Sequence, residues 1–125
     1  MWFDPSMSDP YDKGFQIGIL RARYNPIRID RQEHINKIDD EIIARINSSA
    51  FVVADFSGHR GGVYFEAGYA LGLGLPVVWT CRETDINGLH FDIRQYNCIL
   101  WETPEELATR LEKRIGASIG IGPQI

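Results

Sequence analysis

Phe51-Val52-Val53-Ala54-Asp55-Phe56-Ser57-Gly58-His59-Arg60-Gly61-Gly62 is the stretch that decides the fold. Its first four residues form a continuous apolar run, the pattern of a strand covered on both faces. Asp55 closes the run, and a polar, glycine-bearing loop carries the chain to Gly62. Residues 63–73 then read as a helix dense in small and aromatic side chains, which Gly74 can end. Pro76-Val77-Val78-Trp79-Thr80-Cys81 follows as a second buried strand. Strand, loop, helix and strand in that order make a βαβ unit, and such units impose parallel pairing with a right-handed crossover.

The flanking chain repeats the theme. Residues 9–23 read as a helix, with Ser8 or Asp9 as cap, Pro10 in the first turn and Phe15, Ile19 and Leu20 at helical spacing. Residues 26–29 read as a short strand. Residues 37–48 read as a helix with Asn36 as candidate cap, Asp39 and Asp40 in the first turn, and Ile38, Ile42, Ile43 and Ile46 as its apolar stripe. Asn87-Gly88 marks a turn. Residues 98–101 are a last strand. Thr103, Pro104 and Glu106 open a final helix over 104–115. The glycine-rich tail, 116–125, is expected to be loose. The expectation is one α/β domain over 1–125: a three-layer, flavodoxin-like parallel sheet of about 4–5 strands with helices on both faces. In that order the first strand is interior, and Met1-Trp2-Phe3 supplies only a stub of it, so the first strand reads as truncated.

Composition narrows the function. The 125 residues are 44% apolar and 24% charged, an ordinary globular balance able to bury a core without staples. A net charge of −4 and a pI near 5.3 argue against nucleic acid or an anionic membrane as partner, since both need a basic face. A small anionic ligand needs only local donors and stays open. No apolar run reaches the ~18–20 residues of a membrane span, and MWFDPSMSDP has neither the basic start nor the apolar stretch of a signal peptide. Cys81 and Cys98 lack metal spacing and read as reduced buried thiols. The cytoplasm is the expected compartment.

In open α/β sheets, ligands bind beyond the carboxyl ends of the strands. Asp4-Pro5-Ser6, Asp30 to Asn36, Asp55 to Gly62 and the long loop Arg82 to Tyr96 all fall there. Glu66 is the sharpest residue. Ala70 and Leu73, at i+4 and i+7, put it on an apolar stripe that faces the sheet, one turn into its helix. Burial raises such a carboxyl's pKa, and the helix N-terminus lowers it. Gly61 and Gly62 allow close backbone approach and leave amide N–H groups at that terminus. The plainer reading is a carboxylate bonding its own helix's amides. Asp39 falls within the Ile42, Ile43 and Ile46 face and Asp40 at its flank; first-turn dipole partners are the alternative for both. Asp55 ends a buried strand, as ligand contact or loop partner. Gly58-x-x-Gly61-Gly62 is not a Walker sequence. His34, His59 and His90 share no metal-binding spacing, and no GxSxG or Cys/His nucleophile pair is present. No metal and no cofactor are expected.

Val53-Ala54-Asp55-Phe56-Ser57-Gly58, Val63-Tyr64-Phe65-Glu66-Ala67-Gly68-Tyr69-Ala70-Leu71-Gly72 and Leu75-Pro76-Val77-Val78 together resemble nucleoside 2-deoxyribosyltransferase-like proteins. Ile38-Asp39-Asp40-Glu41-Ile42-Ile43 resembles that family's second helix, and Met1-Trp2-Phe3-Asp4 the end of its first strand. The resemblance covers roughly residues 1–115. It implies a flavodoxin-like fold, cleavage of an N-glycosidic bond, a nucleophilic glutamate at Glu66, and an acid/base aspartate that maps by spacing onto Asp40. The helical wheel prefers Asp39, and the two stay open. It also implies homo-oligomers with shared sites. A wider circle of similar folds includes Toll/interleukin-1 receptor-like domains, some of which cleave NAD with a helix glutamate. Here the first strand is short, and His59-Arg60-Gly61-Gly62 replaces an Asn-Pro-Asn type loop.

Two functions follow. As an enzyme, Glu66 attacks the anomeric carbon of a nucleoside or nucleotide and Asp40 or Asp39 protonates the departing base. Asp4 lies at the same end of the sheet. Asp55 bonds a sugar hydroxyl. Ser57 and Gly58, with the amides of Gly61 and Gly62, hold a 5′-phosphate, and Trp2 or Phe3 stacks on the base, unless those two are plain core aromatics. As a module, the chain keeps fold and pocket and binds a nucleotide without catalysis.

Overall fold

The structure is a computed structural model of the chain, and it describes residues 1, 4–28, 40–58, 61–88 and 97–123. Trp2, Phe3, Asp39, Ile29 and the loop residues His59 and Arg60 lie outside the described residues, as do His34, His90 and the start of the expected helix at 36–39. A 3₁₀ turn, Pro5–Met7, leads into a π-helical stretch, Pro10–Phe15, that runs on into α1, Gln16–Arg21. Then come α2, Asp40–Asn47; β1, Val52–Asp55; α3, Gly61–Gly72; β2, Val77–Arg82; a 3₁₀ segment, Glu83–Gly88; β3, Ile99–Trp101; and α4, Pro104–Ser118.

The three strands form one open parallel sheet in the order β1-β2-β3. Val53 pairs with Val78, and Thr80 with Ile99. The expected parallel pairing of these runs is therefore present, in an α/β arrangement that agrees with a flavodoxin-like sheet at the coarse level. Pro26–Arg28 pair with none of the described strands.

Alternation along the strands sorts the core onto two faces. Val78, Ile99 and Trp101 point to one side, where they meet Met7 and Phe15 from the N-terminal helices and Leu107, Leu111 and Ile115 from α4. Ala54, Trp79 and Cys81 point to the other, under Val63 and Ala67 of α3. α2 lies beside α3, joined through Ile42, Ile46 and Ala70. Helices thus cover both faces.

Glycine sets the spacing of the first face. A Cβ added at Gly14 would stand 2.8 Å from Leu107 Cδ2, and one at Gly18 would stand 2.9 Å from the Ala108 carbonyl oxygen. Gly14 and Gly18 sit four residues apart on one helical side, so the N-terminal helix presses its backbone against α4. The winding changes within the same stretch: the Gln16 N–H donates to the Tyr11 carbonyl, five residues back.

Helix ends obey their local signals. The Thr103 hydroxyl accepts from the Glu106 N–H at 3.2 Å and caps α4. Gly74, at φ 81°, ends α3, with the Leu75 N–H closing on the Ala70 carbonyl. α1 ends in the same motif with Arg23 in the left-handed position, at φ 72°. α4 runs three residues past the expected 104–115, to Ser118. The tail is tied down where it was expected to be loose: Gly122 N–H donates to the Ala22 carbonyl, and the Tyr24 hydroxyl to that of Gly120.

Candidate functional site

β1 carries Asp55 to the carboxyl end of the sheet, and the strand's alternation turns the side chain toward the α1/α4 face. Its carboxylate accepts three hydrogen bonds. The Ser57 N–H reaches Oδ1 at 3.0 Å, while the Thr80 hydroxyl at 2.6 Å and the Trp101 indole N–H at 2.9 Å reach Oδ2. Asp55 is 1% exposed, and Thr80 and Trp101 are fully buried beside it. Three of roughly four carboxylate lone-pair positions are thus used inside the fold, leaving one on Oδ1. This one side chain ties β1 to β2 and to β3.

Glu66 approaches from the opposite face. The buried arc of α3 is Val63, Glu66, Ala67 and Ala70, so the i+4 spacing read from sequence places its side chain on the inner stripe, 9% exposed. Glu66 and Asp55 line the same cavity. It has a volume of about 330 Å³ and runs along β1 from Phe51 through Val52 and Val53. Met1, Tyr11, Phe15, Tyr24 and Arg28 close it from the N-terminal side, and Arg45 and Ile46 from α2. The Arg28 guanidinium lies over the Tyr11 ring, 4.7 Å from its centroid, which places a cation and an aromatic face together in the wall.

The remaining candidates separate. Asp40 is exposed at the first described turn of α2 and is not among the residues lining the cavity; α2 meets it through Arg45 and Ile46 instead. Asp39, Trp2 and Phe3 lie outside the described residues. Asp4 caps the 3₁₀ turn after it by accepting from the Ser6 N–H at 2.9 Å. That bond, with Arg82 as a weaker contributor, holds its carboxyl below the ordinary carboxylate range. Gly61 and Gly62 form the first turn of α3, so the helix starts two residues before the expected 63–73.

Ser57 and Gly58 belong to a knot at the carboxyl ends of the strands. The Ser57 hydroxyl accepts from the Arg82 N–H at 2.8 Å, and the Gly58 N–H donates to Asp85 Oδ2 at 3.2 Å. Arg82 Nη2 pairs with the same Asp85 oxygen at 3.1 Å, and Arg82 Nη1 donates to the Ser6 hydroxyl at 3.3 Å. Arg82 and Asp85 therefore join three of the polar segments that end at this side of the sheet. Sequence reading placed both inside a long loop and gave neither a role. The only local signal was their position at the end of β2 and in the turn after it, where the charges stand three residues apart. Arg28, Tyr11 and Phe51 were likewise missed as cavity residues, because nothing local marks a side chain that reaches its site by long-range packing.

Cys81 is buried and Cys98 half-buried, and both are free thiols. Desolvation, reinforced by the Asp55 charge, pushes each thiol up to about 12. Thiols held protonated in this way are poor nucleophiles and poor metal ligands. Among the described residues, no group of three or more His, Cys, Asp or Glu side chains is arranged to hold a metal ion. Among the same residues no helix is long and apolar enough to cross a membrane.

Compared with protein-family models, curated proteins and solved structures, the chain matches none.

Proposed function

We propose that this chain cleaves or transfers at the N-glycosidic bond of a nucleoside or nucleotide, with Glu66 as nucleophile. The observation that supports it most is a buried carboxylate, Glu66, lining with Asp55 one cavity that runs along β1. Asp55 ends that strand, and open α/β sheets bind ligands at the carboxyl ends of their strands. The volume, about 330 Å³, falls in the range of pockets for small organic ligands. Tyr11, Phe15, Tyr24 and Phe51 offer apolar and aromatic wall to a base, and Arg28 offers a charge to a phosphate.

In this reading Glu66 attacks the anomeric carbon as the bond to the base nitrogen breaks. The bonding electrons leave with the base, which takes a proton from Asp40 or Asp39. A second base or a water then attacks the glycosyl-enzyme ester and frees Glu66. The remaining acceptor position on Asp55 Oδ1 takes a sugar hydroxyl, and the Ser57 to Gly62 loop borders a 5′-phosphate. The reading also includes a flavodoxin-like sheet of about 4–5 strands, in which Met1–Phe3 and the segment 26–29 lie beyond β1. It further takes the compartment to be cytoplasmic.

Incubation with nucleosides, nucleoside 5′-monophosphates and NAD, followed by chromatography of released base, is the direct test. Glu66→Gln keeps the shape and removes the nucleophile. It is expected to abolish base release while a thermal shift with substrate persists. Wild-type rates in Glu66→Gln would overturn the assignment.

A second reading has its own support. Asp40 is exposed and does not line the cavity, so among the described residues no carboxylate other than Asp55 stands ready beside Glu66 as acid. A catalytically silent nucleotide-binding module needs no such group. Ligand-induced stabilisation with no base released from any substrate supports the module.

A further inference from the structure

The cavity beside β1 has a buried end and an open one. Asp55 and Glu66 line the buried end, at 1% and 9% exposure. Asn25, Ile27, Ser48 and Ala50 line the other, and all four are exposed, so the cavity meets solvent there. From Phe51 to Asp55 the chain takes four strand steps of about 3.3 Å each, which set the two ends roughly 13 Å apart. A nucleoside whose anomeric carbon lies at Glu66, with its 5′ side toward the loop after β1, points its base along this path. Even a purine, with two fused rings, covers only about half of that length.

The remaining length is apolar. Tyr24 and Phe51 both line the cavity and meet edge to face, with ring centroids 4.9 Å apart. The Tyr24 hydroxyl donates to the Gly120 carbonyl at 3.0 Å, so its ring is held from two sides. The hydroxyls of Ser48 and Ser49 both donate to the Arg45 carbonyl, at 3.1 and 2.7 Å. The Arg45 guanidinium pairs with Glu41 at 3.4 Å. Three hydroxyls and a guanidinium at this end are thus engaged within the fold, and ring and alkyl surface is left toward a ligand. Ile27 extends that surface at the mouth, where it is 59% exposed. A single exposed isoleucine is ordinary. One set beside two fixed aromatic rings at the open end of a cavity is a place for an apolar group.

We propose that the nucleoside or nucleotide bound here carries an apolar alkyl or aryl substituent on the exocyclic amine of its base, seated between Tyr24, Phe51 and Ile27. The inference rests on the reading that this cavity takes a nucleoside or nucleotide, and it holds for the enzyme and the silent module alike. An unsubstituted base leaves the two rings and Ile27 in water, and the substituent covers them. A charged substituent would surrender its hydration for ring faces and alkyl groups. Tyr24 is fixed before the ligand arrives, so little freedom is lost on binding.

Isothermal titration calorimetry of the whole chain tests this with adenosine 5′-monophosphate and its analogues benzylated or carboxymethylated on the exocyclic amine. The benzyl compound is expected to bind at least about tenfold tighter than the parent, and the carboxymethyl compound no tighter. Ile27→Asn changes an exposed side chain, so the fold is not at stake, and it is expected to cut the benzyl advantage to about threefold or less. Phe51→Ala is expected to cut it likewise. A benzyl compound that binds no tighter than the parent overturns the proposal and leaves the reading of the cavity standing. So does an equal gain from the carboxymethyl compound, or a benzyl advantage that both variants leave intact. Binding by none of the three overturns the proposal together with that reading. A benzyl advantage without base release supports the substituent site and removes Glu66 as nucleophile.

Discussion

Replacing Asp55 by asparagine tests the centre of the site. Three buried donors converge on this carboxylate: the Ser57 N–H at 3.0 Å, the Thr80 hydroxyl at 2.6 Å and the Trp101 indole N–H at 2.9 Å. An amide has one accepting oxygen and one donating nitrogen. In its best orientation the oxygen faces Thr80 and Trp101, and the NH₂ is driven against the Ser57 N–H. An orphaned buried donor costs about 1–3 kcal/mol, and the two remaining bonds weaken by roughly 1 kcal/mol each on losing their charge. Relief of burying a charge offsets part of this. The net expectation is a loss of about 2–4 kcal/mol, or roughly 8–15 °C in melting temperature for a chain this size. Urea unfolding followed by tryptophan fluorescence reads the loss directly, because Trp101 is one of the donors. Thr80→Val removes one donor together with its need, so it is expected to cost about 1 kcal/mol, and the double variant is expected to be non-additive. Asp55→Asn within about 0.5 kcal/mol of wild type would refute the reasoning. Unchanged stability together with lost ligand binding would mean that the carboxylate serves the ligand alone.

Three further outcomes follow from local geometry. Gly18→Ala sets a methyl 2.9 Å from the Ala108 carbonyl oxygen and is expected to cost about 1–3 kcal/mol in urea unfolding, whereas Gly72→Ala, with open space, is expected to stabilise. Arg23→Gly relieves a left-handed side-chain residue at φ 72° and is expected to raise stability by about 0.5–1 kcal/mol in the same assay. The Cys81 and Cys98 thiols are raised from 9.0 to about 12 by burial, so the folded state prefers their neutral form. Their contribution is complete below about pH 9 and is lost as pH rises from about 9 to about 12, since only the unfolded chain gives up its protons there. Melting temperature against pH checks the direction. A disulfide-exchange reagent at pH 8 is expected to label both thiols quickly in urea and slowly without it.

The amino-acid sequence by itself determined the features that a few neighbouring residues enforce. The apolar runs around Val53 and Val78, punctuated by glycine and proline, required a parallel pair because the segment between them winds as a helix. Spacing of 3.6 residues per turn put Glu66 on the buried stripe of α3. Thr103 and Gly74 marked a helix start and a helix end through bonds that close within a few residues. What the tertiary structure decided is everything that depends on partners distant in sequence. Asp55 meets Thr80 twenty-five residues on and Trp101 forty-six residues on, so its hub could not be seen from the loop it begins. Arg82 and Asp85 join Ser6, Ser57 and Gly58 only after the carboxyl ends of β1 and β2 and the turn at Pro5–Met7 have been brought side by side. The resemblance mapped the acid onto Asp40, but the orientation of α2 brings Arg45 and Ile46 to the cavity. Likewise two pairs of glycines, Gly14 with Gly18 and Gly68 with Gly72, are alike as text. One is pressed against α4 and the other opens outward, because backbone approach is a property of the neighbour and not of the residue.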